Sequence, residues 1–261
     1  MPQFSRYLGI HYSGAGVPNQ SLNALRVYEA VGDREPTEVL APPSTRKYWT
    51  RRGVAEWLAV ELVKPTPTLV GIDHPFSFPT MYFAHHGLPP DWPQFLDDFQ
   101  KHWPTDKDHT YVNFVSEGLC GNGADRQGDP SWFRLTDRWT PTGKSVFDIA
   151  SPGQVATATH AGLPWLRYLR QKCGKHLHFW PFDGWEIPTG RSAVAEVNPS
   201  LWIHRYHGDL TRTKDQHAAF SVASWLQRAD QTGSLNQFLD PPLLPGEIRV
   251  AEIEGWILGV D

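Results

Sequence analysis

Three carboxylates in this sequence stand at the ends of apolar segments, and a histidine stands at the end of a fourth. Asp73, in "GIDHPFSFP" (71–79), follows a buried-strand run and precedes the turn-forming Pro75. Glu196, in "AVAEVNPSLW" (193–202), interrupts an apolar strand that Pro199 ends. Asp215, in "TKDQHAAF" (213–220), opens a helix and is followed two residues later by His217. His11, in "RYLGIHYSGAG" (6–16), lies between an apolar run and a glycine turn. A carboxylate at the end of a buried strand costs free energy unless it is paired, hydrogen-bonded or metal-bound. Oxygen ligands on separate elements are what Mg²⁺ or Mn²⁺ needs to hold a phosphate and a nucleophilic water. Each acid also has a plain structural role open to it. Asp73 can accept from backbone donors in its turn, Glu196 can face solvent from an edge strand, and Asp215 can complement the helix dipole behind a Thr213 cap.

His11 has three roles open to it. Neutral imidazole ligates Mn²⁺, Zn²⁺ or Fe²⁺, though it is a poor partner for Mg²⁺. It can act as a general base or phosphate contact, because an unperturbed histidine titrates near pH ~6.5. It can also simply pack and hydrogen-bond at the strand end.

The elements that must position these residues follow from apolar periodicity. Strands are expected at 5–13, 24–31, 37–40, 68–73, 176–182 and 192–197, from alternating or short continuous apolar runs. Helices are expected at 51–64, 91–103, 110–118, 157–173 and 213–229, with Pro164 kinking or restarting the fourth. This order is that of an α/β domain with strand ends facing a common site. Residues 76–156 read as an irregular insertion or lid within one domain spanning 1–261.

At 261 residues the chain is long enough for a substantial core, and its 40% hydrophobic content excludes a disordered tail. A net charge of −4 gives no overall attraction to nucleic acid or anionic membranes but permits a locally basic groove. "TRKYWTRR" (45–52), with Tyr48 and Trp49 among four basic residues, is the candidate for such a nucleic-acid groove. Arg167 and Arg170 carry the same ambiguity. Two cysteines form neither a disulfide framework nor a metal cluster, and "MPQFSRYLGI" carries no signal-peptide pattern, so a cytoplasmic location is expected. No run approaches the roughly 18 apolar residues of a membrane span. Gly143-Lys144-Ser145 is not a phosphate-binding loop, since Arg138 stands where the first glycine belongs. His176 and His178 lie on one strand face and could clip a zinc, but they read as satisfied structural histidines.

The four segments "GIHYSGA", "GIDHP", "AEVNPSLW" and "DQHAA" together resemble a family of ribonuclease-H-like proteins of the DUF429 type. Its members look like "GID-x-SGA", "IDxP", "AEVxPSLW" and "DQHDA" at these places. The stretch at 178–192 and the ending "EGWILGV" are similar as well, so the resemblance spans nearly the whole chain. It implies a ribonuclease-H-like mixed sheet of about five strands flanked by helices. It also implies a metal-dependent phosphodiester hydrolase of nuclease type with Mg²⁺ or Mn²⁺ as cofactor and nucleic acid as partner. Asp73 and Glu196 match family acids and would be metal ligands, and Asp215 and His217 match the helix motif. His11 replaces the family's first-strand aspartate and Ala218 its helix aspartate. The expected site is therefore altered, with Asp73, Glu196, His11 and His217 as catalytic candidates and Asp73, Glu196, Asp215 and His11 as metal candidates. The alternatives are a degenerate binding or partner protein that keeps the fold, and a phosphotransferase.

Overall fold

The computed structural model describes residues 2–41, 47–141, 143–149, 155–206 and 211–261. In chain order the elements are β1 (Arg6–His11), β2 (Arg26–Val31), β3 (Thr37–Glu38), α1 (Arg51–Glu61), β4 (Thr68–Ile72), α2 (Thr80–His86), α3 (Trp92–His102), α4 (Val112–Ser116) and α5 (Leu135–Trp139). They continue with α6 (Val155–Cys173), β5 (Leu177–Trp180), β6 (Ser192–Val197), α7 (Lys214–Gln231), α8 (Leu235–Leu239), α9 (Pro245–Glu254) and β7 (Ile257–Leu258).

The strands form one mixed sheet in the order β3-β2-β1-β4-β6-β5, with β7 also pairing to β6. β2 runs antiparallel to β1 and β3, whereas β1, β4, β6, β5 and β7 are parallel neighbours. Every residue of β4 and β6 is buried, as continuous apolar runs require when helices cover both faces of a parallel sheet.

Side-chain alternation divides the core in two. Leu8, Ile10, Val70, Ile72 and Val194 face a layer that includes Val54, Leu58, Phe99 and Leu166 of α1, α3 and α6. Tyr7, Leu69, Ala193, Ala195 and Val197 face Val222 and Leu226 of α7. Gly9 lets α7 lie flush on the sheet, because a Cβ there would stand 2.2 Å from the Ala219 carbonyl oxygen. Thr213 caps α7 by accepting from the Gln216 N–H at 3.2 Å, and the Gln216 side chain accepts from the Thr213 N–H at 2.9 Å.

Two expectations about helices change. α6 runs unbroken through Pro164. A proline there leaves the carbonyl four residues back without its N–H donor, and the Thr105 hydroxyl fills that place, donating to His160 O at 2.6 Å. The segment 76–149, expected as an irregular stretch with two helices, keeps long loops but also carries the short α2 and α5, and it brings Phe78, Tyr82, Phe95, Phe99 and Phe147 into the same core as β1 and β4. Phe78 meets the other four rings edge-on at centroid distances of 4.8 to 5.5 Å. Such packing makes this segment part of a helical layer. Among the described residues no helix is long and apolar enough to cross a membrane.

Candidate active site

The parallel strands β1, β4 and β6 end at one edge of the sheet, where a cleft of about 1150 Å³ opens. His11, Asp73, Arg134, Glu196 and Ala218 line it, with the loop after His11 on one side and Asn198–Ser200 on another. Strand register decides which side chains can meet there. Ile10 pairs with Ile72 across β1 and β4, and Ile72 pairs with Glu196 across β4 and β6. His11 and Asp73 are each one residue further on, so they point to the α7 face together, while Glu196 points to the opposite face with Ile72.

His11 is held between two acids. Its Nδ1–H donates to Asp73 Oδ2, and its Nε2 lies 3.3 Å from Asp215 Oδ1 at the start of α7. Asp73 Oδ1 accepts from the Tyr12 N–H at 2.6 Å, which is why β1 stops at His11 and does not continue to residue 13. The Asp73 side chain is 7% exposed and that of Asp215 37%, so Asp73 acts through the less screened path. Its charge is the main cause that raises the His11 pKa to about 9, against an opposing effect of burial and with support from Asp215. At neutral pH His11 is an imidazolium facing the cleft.

Glu196 is 2% exposed and is bound by Arg134 through both oxygens, at 2.7 and 2.6 Å. Its Oε2 also accepts from the Phe76 N–H at 3.0 Å. Arg134, wholly buried, reaches Asp137 at 2.8 and 3.0 Å. Burial alone would lower the guanidinium pKa, but Asp137 and Glu196 outweigh it and keep Arg134 charged. Burial pushes the Glu196 carboxyl up from its ordinary value and Arg134 draws it back. Bidentate, charge-assisted pairing of this kind fixes orientation as well as charge.

The expected metal set does not fit this arrangement. The Glu196 oxygens are occupied by Arg134 and Phe76, and the Asp73 oxygens by His11 and Tyr12. Ala218 lines the cleft without a ligating atom. Among the described residues no group of three or more His, Cys, Asp or Glu side chains is placed to hold a metal ion. Two fixed cations, His11 and Arg134, stand among the four acids Asp73, Asp215, Glu196 and Asp137.

The other candidates fall as follows. His217 is not among the cleft-lining residues; it stacks near Phe220 at 6.4 Å, and its buried Nδ1 has no partner among the described residues. Asp215 is not a cleft-lining residue either; of this end of α7 only Ala218 is, and residue 217, one position back, lies about 100° round the helix from it. Of the basic stretch, Thr45 and Arg46 lie outside the described residues. Arg51 is wholly buried, and Arg52 pairs with Asp108 at 2.8 Å. Arg167 and Arg170 pair with Asp97 and Asp183 at 2.6 and 2.8 Å. The described arginines of the expected basic groove are thus either buried or paired with acids. His178 is buried, with Nε2 2.9 Å from the Gly184 carbonyl oxygen.

Arg134 and Asp137 are site residues that sequence reasoning did not identify. The signal available for the first was Glu196 itself, since an acid inside an apolar strand calls for a cation. The spacing Arg134-x-x-Asp137 in "RLTD" marks a second acid for the same arginine. No protein-family model, curated protein or solved structure matches this chain.

Proposed function

We propose that the chain is a ribonuclease-H-like protein whose cleft binds a phosphoester and hydrolyses it with charged His11 in place of a metal ion. The observation that carries this reading is His11, on the wall of the cleft beside Asp73, with its Nε2 3.3 Å from Asp215 Oδ1 behind that wall. In the hydrolysis, water adds to phosphorus and the ester P–O bond breaks. The leaving oxygen takes the proton from His11 Nε2, and the proton of the attacking water passes to Asp215. Asp73 orients the ring and holds its charge, the part an acid plays behind a catalytic histidine. Arg134 and Glu196 keep the neighbouring strand end rigid and add no ligand to the reaction.

The test is turnover of bis(p-nitrophenyl) phosphate and of a mixed-sequence oligonucleotide, in EDTA and with added Mn²⁺. The reading expects hydrolysis that EDTA leaves intact and that His11→Ala reduces by at least ~10²-fold. Hydrolysis that appears only with Mn²⁺ overturns it. A second reading, a binding protein without catalysis, is favoured by Ala218, which puts no reactive group on the cleft wall. Oligonucleotide binding without turnover under either condition selects that reading.

A further inference from the structure

Directly after His11 the chain makes a turn whose wiring is unusual. The Arg51 side chain, wholly buried, donates through Nη1 to the carbonyl oxygens of Ser13 and Ala15, and through Nη2 to that of Gly16 at 2.6 Å. Among the described residues no carboxylate pairs with Arg51, and its Nε has no partner. A trans peptide points its N–H opposite its carbonyl. The three carbonyls turned inward to Arg51 therefore turn the N–H groups of Gly14, Gly16 and Val17 outward, on residues that line the cleft. Among the described residues none of these three N–H groups has an acceptor.

α6 abuts the same turn. A Cβ at Gly14 would stand 2.3 Å from the Thr157 carbonyl oxygen, so glycine alone lets the turn touch the first turn of this helix. Val155, Thr157 and Ala158 line the cleft beside it. A buried guanidinium without a counter-charge is itself unfavourable. Burial lowers the Arg51 pKa from its ordinary value. The carbonyl oxygens of Ser13, Ala15 and Gly16 accept from its Nη groups but bring no full negative charge.

We infer that the turn Ser13–Val17, backed by Arg51 and packed against α6, is a binding site for a tetrahedral oxyanion such as phosphate. Backbone N–H groups converging from a turn are a recurrent way to hold such a group. The inference rests on the reading of the cleft as a phosphoester site and deepens it, because it names where a phosphoryl group sits beside His11. It does not require the protein to turn over any substrate.

The experiment is titration of the ¹⁵N-labelled protein with inorganic phosphate, at constant ionic strength set with chloride, followed by amide chemical shifts. The expected result is a saturable shift at Gly14, Gly16 and Val17, absent with chloride alone. Arg51→Gln, checked as folded by its amide spectrum, should weaken phosphate binding at least ~10-fold. Shifts centred elsewhere in the cleft, or no saturation, overturn the inference. Unchanged phosphate binding in a folded Arg51→Gln protein overturns the role given to the buried charge. If phosphate binds at the turn while phosphoester turnover is absent, the oxyanion site stands and the hydrolase reading falls. If turnover occurs without shifts at the turn, the reverse holds.

Discussion

Asp73 and Glu196 stand one residue out of register on neighbouring parallel strands, so their carboxylates leave the sheet by opposite faces. That single offset gives each acid a different cation. Asp73 meets His11 on the α7 side, and Glu196 meets Arg134 on the side of the helical layer. A site that would gather both acids around one metal is replaced by two separate ion pairs on one cleft.

Asp73 should therefore control the His11 charge more strongly than Asp215 does. Asp73→Asn is expected to bring the His11 midpoint from about 9 down toward the ordinary ~6.5. Asp215→Asn should move it less, because that carboxylate is 3.3 Å away and more exposed. Ring-proton NMR titration of each variant measures both; equal shifts in the two would contradict the assignment.

Stability should pass through a maximum near pH ~6.5. The His11 pKa is raised on folding, so its contribution is complete below ~6.5 and is lost as pH rises through about 9. It is worth roughly 3 kcal/mol at most. His74 and His160 are buried and held down to about 4, chiefly by burial. Below pH ~6.5 the unfolded chain takes up protons that these two refuse in the native state. Stability then falls as pH drops toward 4, by up to roughly 2.7 kcal/mol per pH unit. Urea denaturation across this range checks both limbs, and His11→Asn should flatten only the alkaline one.

Arg134→Met should be strongly destabilising, by about 3–5 kcal/mol, because it leaves Glu196 and Asp137 buried without their cation. Chemical denaturation measures this, and a loss below ~1 kcal/mol would show that the pair is not buried as described.

Thr105 and Pro164 should be coupled although they are far apart in sequence. Thr105→Val removes the Thr105 hydroxyl's bond to His160 O and should cost about 1–3 kcal/mol. In a Pro164→Ala background the restored N–H takes over that carbonyl, so the same change should cost measurably less. A double-mutant cycle on unfolding free energies reads the difference, and additivity would contradict it.

Much of the frame was legible in the sequence because it rests on local patterns. The apolar runs at β4 and β6 and the capped, periodic α7 lie where their spacing puts them. The short helices α8 and α9 and the two-residue β7 were not read, since each is too brief or too irregular to show a sustained apolar period. Register was not legible either. Nothing local to "GID" and "AEV" tells which residue of one strand faces which of the other, and a one-residue offset reverses the face. Arg134 escaped for a related reason: its partners Glu196 and Glu254 are 62 and 120 residues away, so their meeting is a product of tertiary packing. His217 was drawn in by its neighbour Asp215, though two residues along a helix do not share a face.

The central claim is that His11 carries the positive charge of this cleft in place of a metal ion. Titration of the His11 ring by NMR, with and without millimolar Mg²⁺, tests it most directly. The account predicts a midpoint near 9 that Mg²⁺ does not move. A midpoint at the ordinary ~6.5, or one that Mg²⁺ lowers by displacing the proton between Asp73 and Asp215, would contradict it.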